Sequence, residues 1–243
     1  MFKIIYKYWV YFIFVLVFFL IYPFFVLFIQ VRSWHRYGHF MNRIWAFSVL
    51  PLCVPMEIER RSLLVKDQSY VFAANHSSYL DIASLMYVLP GYSFFMGKAS
   101  LGRLPLFGYM YRNLYILLDR RSVESKKEVI LRSQQEIQNG NNLAIFPEGT
   151  IPKDNAPQMI EFKDGAFKIA IQQQVPIVPI TMPYNHIILA DDRTFTPRYH
   201  KLKIIIHEPI PTVGMTENDI AALKKKTYDI IHEELKKHNP HLQ

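Results

Sequence analysis

The first feature of the chain is a long apolar stretch without a charged residue, which runs from Tyr8 to Val31 and is dominated by Phe, Val, Leu and Ile. Lys7 and Arg32 border it. A helix needs about 20 such residues to cross the hydrocarbon core of a bilayer, so the stretch is predicted to be a membrane helix. It is longer than the apolar core of a secretory signal and lacks a small-residue cleavage site, so we expect it to be retained. A helix buried in a soluble core is the alternative interpretation.

A second apolar run extends from Ile44 to Met56 and contains Pro51 and Pro55. It is too short to cross a bilayer as a helix, and it is predicted to lie in the membrane interface or to re-enter. Positive charges flank the first stretch at both ends. Charge alone therefore leaves open whether that stretch spans the bilayer or folds back as a hairpin with the second run.

From about residue 56 the pattern changes to short apolar runs that alternate with segments of helical periodicity. This alternation predicts an α/β domain with a mostly parallel sheet flanked by helices. The predicted strands are Tyr70 to Ala74, Ser93 to Met96, Tyr115 to Leu118, Leu143 to Phe146, Ile177 to Thr181 and Leu202 to Ile206. The predicted helices are Ser78 to Val88, Ser125 to Gln138 with a capping box at its start, Gly165 to Gln173 and Glu217 to His238. We therefore divide the chain into a membrane-associated helical segment, 1–55, and a domain, 56–243.

Composition narrows the possible partners of this 243-residue chain, of which 51% is hydrophobic and whose formal net charge is +8. A basic, apolar chain suits contact with anionic membrane lipids. We expect no nucleic-acid partner, because no nucleic-acid-binding signature is present. Cys53 is the only cysteine, so no intramolecular disulfide can form, and the nine histidines show no ligand spacing. No metal site is predicted.

The strongest chemical signal lies at residues 75–81, which read Asn-His-Ser-Ser-Tyr-Leu-Asp. His76 falls on the turn between a buried strand and the next helix. Residues five apart on one helix point about 140° away from each other, so His76 can meet Asp81 only because it precedes the first helical turn. Asp81 would then bond one ring nitrogen and fix the tautomer, which leaves the other nitrogen free to take a proton from a hydroxyl nucleophile.

A simpler interpretation of the same residues is a helix start. Ser78 and Asp81 fit the S/T-x-x-D/E pattern, in which the carboxylate satisfies an orphan backbone N–H group. His76 would then be an ordinary loop histidine. The two roles are compatible, since a capping carboxylate can also orient a histidine.

A second motif, Phe-Pro-Glu-Gly-Thr, occupies residues 146–150 directly after a predicted strand. Glu148, Gly149 and Thr150 should therefore stand at the carboxyl edge of the sheet, where open α/β sheets bind ligands and where His76 is also expected. Gly149 lets the backbone approach a ligand, Thr150 offers a hydroxyl, and Glu148 can accept a bond from a substrate hydroxyl or hold a neighbouring cation. A plain proline-glycine turn is the alternative.

The two motifs in this order resemble the glycerolipid acyltransferases, and in particular the 1-acyl-sn-glycerol-3-phosphate acyltransferase family. The resemblance covers about residues 70–182. It implies a membrane-bound O-acyltransferase that moves a fatty acyl group from an acyl thioester to the free hydroxyl of lysophosphatidate, giving phosphatidate. His76 would be the general base and Asp81 its orienting partner. Acyl-CoA or an acyl carrier protein thioester would be the co-substrate, with no cofactor, and a donor made in the cytosol implies an active site on the cytoplasmic face.

Two further elements resemble family patterns for substrate binding. Residues 117–120 read Leu-Leu-Asp-Arg, and the resemblance assigns Arg120 to the acceptor site. Lys98, just after another predicted strand, matches a second family pattern, and a solvated surface lysine is its alternative.

The chain departs from the family after Thr150. The family commonly has an arginine there, thought to bind the acceptor's phosphate, but this chain has Ile151. Without that bidentate clamp the phosphate must be bound in another way or be absent. Lys153, Lys163 and Lys168 lie nearby in sequence.

Three other functions stay open at this stage. The acceptor could be another lysolipid, for example a lyso-aminolipid with a free hydroxyl. The chain could be a non-catalytic protein that binds lipid or acts as a membrane scaffold. It could also be a hydrolase, in which water replaces the alcohol.

Overall fold

A seven-stranded mixed sheet forms the centre of the computed structural model, which describes residues 1–103, 106–119, 121–152, 156–192 and 194–242. The strands are β1 (Met56–Arg60), β2 (Val71–Ala74), β3 (Ser93–Lys98), β4 (Ile116–Leu118), β5 (Asn142–Ile145), β6 (Ile177–Thr181) and β7 (Leu202–Ile206). Their order across the sheet is β1-β7-β6-β2-β5-β3-β4. All neighbours run parallel except β6 and β7, which are antiparallel. The predicted α/β class with a mostly parallel sheet is confirmed.

Helices cover both faces of this sheet. They are α1 (Phe2–Gln30), α2 (His35–Cys53), α3 (Leu80–Val88), α4 (Phe107–Leu114), α5 (Val123–Gln138), α6 (Gly165–Gln173), α7 (Asn185–Ile188) and α8 (Ile220–His238). Side chains alternate along a strand, so Phe72 and Ala74 of β2 share one core with α1 to α4. Val71 and Ala73 point the other way and share a second core with α5, α6 and α8.

The six predicted strands are present within one or two residues of their expected bounds, but β1 is an additional strand. Its sequence, Met-Glu-Ile-Glu-Arg, has no apolar run. It is an edge strand, and Glu57 lies 2.8 Å from Lys201 and 2.7 Å from Lys203. Met56 and Ile58 pack against a hydrophobic core while Glu57 and Glu59 face lysines, so the strand lacks the continuous apolar run by which the other strands are predicted.

Two helix starts differ from expectation. The start of α5 was predicted to be capped at Ser125, but the N-cap is Ser122, whose hydroxyl accepts a bond from the backbone N–H of Ser125 at 3.0 Å. The second apolar run belongs to a longer helix, because α2 begins at His35 and buries His39 and Asn42 together with its apolar residues. Polar residues inside the protein core concealed the true start of α2.

The N-terminal helices α1 and α2 form an antiparallel hairpin. The hydroxyl of Tyr6 donates to the carbonyl of Cys53 at 2.9 Å, and the indole of Trp9 donates to the carbonyl of Leu52 at 3.0 Å. α1 is long and apolar enough to cross a bilayer. In its most apolar stretch of 18 residues, 28% is buried inside the protein. Whether it spans a membrane stays a prediction. So does the division at residue 55, because both helices share a core with β2.

The docking of α8 gives a test of the second core. Leu235 is fully buried there, whereas Leu131 on α5 is 61% exposed. Leu235→Ala should lower the free energy of unfolding by about 2–5 kcal/mol through lost burial and a residual cavity. Leu131→Ala should change it by less than about 0.5 kcal/mol. Denaturant unfolding of both variants in the same detergent measures this difference, and equal losses would contradict the assigned packing of α8.

Candidate active site

His76 and Asp81 meet at the carboxyl end of β2. Between the end of this strand at Ala74 and the start of α3 at Leu80, the chain makes a turn that carries the histidine. Nδ1 of His76 lies 2.9 Å from Oδ2 of Asp81. The structure therefore brings together the two side chains that the sequence pattern paired.

Asp81 is completely buried, and its carboxylate is surrounded by hydrogen-bond donors. Oδ2 accepts the backbone N–H groups of Ser77 at 2.7 Å and Ser78 at 2.8 Å in addition to the imidazole. Oδ1 accepts the side-chain amide of Asn185 at 2.8 Å. Asp81 thus bonds backbone N–H groups of the turn before α3 and contacts His76 at the same time, although the N-cap residue of α3 is Tyr79, which makes no side-chain capping bond.

The imidazole of His76 is fixed in plane as well as in tautomer. Its ring stacks on Phe146, with centroids 4.0 Å apart and planes 12° apart. Because the carboxylate of Asp81 can only accept, the proton of the neutral ring is on Nδ1 and the lone pair is on Nε2. The side chain is 15% exposed, and Nε2 has no hydrogen-bond partner among the described residues. This nitrogen can therefore take a proton from a molecule that approaches the sheet edge.

Glu148 connects the second motif to the first. It is 1% exposed, and its Oε1 accepts the backbone N–H of His76 at 2.8 Å while Oε2 accepts that of Ile160 at 3.1 Å. Burial raises the pKa of Glu148 to about 8, although the two backbone N–H groups act in the opposite direction. The carboxyl group holds the backbone of the turn that carries His76. Its predicted contact with substrate stays a prediction.

The remaining residues of the second motif form a tight turn. Gly149 has φ +75°, a conformation that favours glycine, and its N–H donates to the carbonyl of Phe146 at 2.9 Å. Thr150 is exposed and Ile151 is buried. The turn therefore presents backbone and a threonine at the sheet edge, and its isoleucine points away from solvent. Binding of substrate by Gly149 and Thr150 stays a prediction.

Two asparagines that were not predicted as site residues hold the arrangement together. Asn75 accepts from the N–H of Met182 at 2.8 Å and donates to its carbonyl at 3.2 Å, which joins the ends of β2 and β6. Asn185 bonds Asp81 as described and also donates to the hydroxyl of Ser84 at 3.0 Å. Asn185 is 104 positions from Asp81 and lies on a four-residue helix, so no local pattern pointed to it.

Of the other predicted binding residues, Lys98 ends β3, where its Cα is paired with that of Leu118 on β4. Because β3 neighbours β5, this position is on the same sheet edge as the second motif. Arg120 lies outside the described residues. The binding roles of Lys98 and Arg120 stay predictions.

The flanking serines limit the chemistry of the site. Ser77 and Ser78 are buried, and the hydroxyl of Ser78 donates to the carbonyl of Leu189 at 2.6 Å. Neither hydroxyl is accessible to a substrate in this arrangement. Within the described ranges, no group of three His, Cys, Asp or Glu side chains could hold a metal ion.

A protein-family model described as Acyltransferase matches residues 56–183, just over half of the chain. The matched part begins at β1 and contains both motifs. The site geometry therefore lies within the region of family similarity.

Curated relatives carry a more specific description. A chloroplastic 1-acyl-sn-glycerol-3-phosphate acyltransferase of Brassica napus is 30% identical over 190 residues, which cover 77% of this chain and 54% of that protein. The 1-acyl-sn-glycerol-3-phosphate acyltransferase alpha of Homo sapiens is 34% identical over 161 residues, covering 64% of this chain and 55% of that protein. The chain thus spans about half the length of these relatives.

A solved structure has the same fold. The crystal structure of the 1-acyl-sn-glycerophosphate acyltransferase PlsC from Thermotoga maritima superposes with a TM-score of 0.77 and covers 99% of this chain and 98% of that one. At 20% identity the likeness concerns the fold alone. It extends over the N-terminal hairpin as well as the sheet.

The contact between Glu148 and the turn that carries His76 can be tested by replacing one carboxylate oxygen with an amide nitrogen. In Glu148→Gln the side-chain NH₂ must face one of two backbone N–H groups, so a buried donor loses its acceptor. The free energy of unfolding should fall by about 1–3 kcal/mol, and amide hydrogen exchange at residues 76–78 should become faster. Glu161→Gln is the matched control, because Glu161 is 89% exposed. If both variants behave alike, Glu148 does not hold the turn.

Proposed function

The chain belongs to the acyltransferase family, and from this membership we propose that it is a 1-acylglycerol-3-phosphate O-acyltransferase, which converts lysophosphatidate to phosphatidate. The observation that carries the proposal is the imidazole of His76, whose Nδ1 is held by Asp81 while Nε2 is open at the ligand-binding edge of the sheet. The names of the curated relatives supply the substrate class.

In the proposed reaction, Nε2 of His76 removes the proton of the acceptor's free hydroxyl as its oxygen attacks the thioester carbonyl. A carbon–oxygen ester bond forms and the carbon–sulfur bond breaks. The departing thiolate then takes the proton from the imidazolium, which regenerates the neutral ring. The carboxylate of Asp81 stabilises the imidazolium during this exchange, and the reaction needs no acyl-enzyme.

For the acyl donor we propose a thioester of coenzyme A or of acyl carrier protein. Both donors are acidic, and the net charge of +8 suits an encounter with either one. The proposal includes no cofactor, because the thioester itself supplies the activated acyl group.

Membrane association supports the delivery of a lipid acceptor to His76. Much of α1 exposes large apolar side chains along its length. The hydroxyl of Tyr11 on α1 donates to the carbonyl of Phe195 at 2.9 Å, and the Phe195 ring lies 5.5 Å from that of Tyr79 in the catalytic turn. The membrane-associated helix is therefore joined to the catalytic edge by a short chain of contacts. A donor made in the cytosol would place this edge on the cytoplasmic face.

A second candidate acceptor follows from Ile151. Its buried side chain offers no charge to a phosphate, which favours a lysolipid with another headgroup, such as a lyso-aminolipid. A purely lipid-binding role for the same fold would need no proton acceptor, so the open Nε2 of His76 favours an enzyme.

The base is tested with His76→Ala and Asp81→Asn. The first variant removes the proton acceptor. The second keeps the size of the side chain but removes the charge that stabilises the imidazolium. Both should lower kcat for acyl transfer by about 100-fold or more. His232→Ala on α8, where the ring stacks on Tyr228, is the control and should keep full activity. Unchanged transfer by His76→Ala would exclude the base mechanism.

The acceptor is tested with a panel of lysolipids. Each is offered together with a thioester of coenzyme A or of acyl carrier protein whose acyl group is labelled. We expect labelled phosphatidate from lysophosphatidate. Labelled free fatty acid as the only product would instead indicate a hydrolase. Failure of the unmutated protein to acylate any lysolipid would favour the non-catalytic lipid binder.

A further inference from the structure

The segment that precedes α6 is fastened to the second motif by its backbone. The N–H of Ile160 donates to Glu148, and the N–H of Lys163 donates to the carbonyl of Pro147 at 2.9 Å. Between them, the Phe162 ring is buried, with its centroid 5.1 Å from that of Tyr228. The backbone of Lys163 therefore has a fixed position beside the turn that holds His76.

The side chain of Lys163 lies across Gly149. A Cβ atom at Gly149 would be 3.1 Å from Nζ of this lysine and 3.4 Å from its Cδ and Cε. A side chain at position 149 would therefore require the lysine stem to shift by a few tenths of an ångström. The ammonium group is thus placed over the motif turn at the carboxyl end of β5, next to the strand that leads to His76.

The acids near Lys163 in sequence pair with other lysines. Asp164 and Glu161, the nearest acids in sequence, are both directed to Lys224, at 2.8 Å and 3.5 Å. Lys168 lies 3.4 Å from Glu217. Among the described residues no carboxylate forms an ion pair with Lys163, and the lysine is exposed. Within the part of the chain that the structure describes, it therefore offers a cation without an ion-pair partner at the edge of the site.

The acceptor of the proposed reaction needs a cation at such a place. In lysophosphatidate only two carbons and an ester oxygen separate the reacting hydroxyl from the phosphorus. When that hydroxyl reaches His76, the phosphate must therefore lie close to the same sheet edge. The side chain of Ile151 cannot bind it, being apolar and buried.

We propose, on the basis of the function proposed above, that the ammonium group of Lys163 binds the phosphate of the acceptor, and that Gly149 makes room for the lysine that does so. Lysine binds phosphate as a point charge rather than as a planar fork. Lys163→Arg should therefore retain binding, since charge matters more here than the geometry of the donor.

The test compares Lys163→Gln, Lys163→Arg and the matched control Lys168→Gln by steady-state kinetics. Loss of a charged hydrogen bond should raise KM for lysophosphatidate by about 10-fold to 100-fold in Lys163→Gln. KM for the acyl thioester should not change, and transfer to monoacylglycerol, which has the hydroxyl but no phosphate, should be as slow as in the unmutated protein. Lys163→Arg and Lys168→Gln should keep KM for lysophosphatidate within about threefold. An increase confined to KM for acyl-CoA would overturn the proposal, because the lysine would then serve the donor.

A binding measurement separates this inference from the proposed function. Binding of lysophosphatidate without donor is measured in His76→Ala and in His76→Ala combined with Lys163→Gln. Weaker binding in the double variant supports the phosphate site even if the unmutated protein transfers no acyl group, an outcome that would refute only the proposed function. Acylation of lysophosphatidate with unchanged KM and binding in the Lys163→Gln variants refutes the phosphate site and leaves the proposed function intact. No binding of lysophosphatidate by any variant refutes both.

Discussion

The site depends on the carboxylate of Asp81, which is buried and has no lysine or arginine within ion-pair distance among the described residues. An isolated carboxylate in such surroundings would cost several kcal/mol of folding free energy unless hydrogen bonds compensated for the lost water. The backbone N–H groups of Ser77 and Ser78, the imidazole of His76 and the amide of Asn185 supply that compensation. Because these donors come from the turn between β2 and α3 and from α7, all four bonds to Asp81 require this arrangement of the turn. That arrangement is also the one that points Nε2 of His76 outward.

Two buried acids hold His76 in position, each through a different part of the residue. Asp81 holds the ring of His76, whereas Glu148 holds its backbone through the neighbouring turn. The parallel pairing of β2 with β5 makes this possible, since it puts the two turns side by side at the same edge. Each acid meets mainly N–H donors, so both can be buried, although the charge of Asp81 adds to the burial that raises the pKa of Glu148. A mutation in either turn should therefore change the position of His76.

Much of this was predictable from local sequence. Buried strands such as β2 and β5 are short apolar runs, and the pairing of His76 with Asp81 follows from the spacing across a strand-to-helix turn. Other parts depend on contacts between distant segments. The alternating glutamates of β1 leave that strand without an apolar run. Asn185 reaches Asp81 from a separate helix. The lysine beside Gly149 can be distinguished from Lys168 only by the acids that surround each one. Spacing predicted the contact between His76 and Asp81, but not the groups that hold it in place.

The two faces of the sheet also suggest how the acceptor of the proposed reaction is oriented. Phe72 and Ala74 of β2 face the core that contains α1 and α2, which is the side with the exposed apolar helix. Phe162, next to Lys163, belongs to the opposite core with α6 and α8. His76 follows β2 at the edge between these layers. An acceptor with its fatty chain toward the hairpin and its phosphate toward Lys163 would carry its free hydroxyl between the two, where Nε2 is open. The fatty chain, hydroxyl and phosphate of the substrate thus follow the same order as the apolar helix, His76 and Lys163 around the sheet edge. Neither the apolar helix nor the lysine alone would require this order.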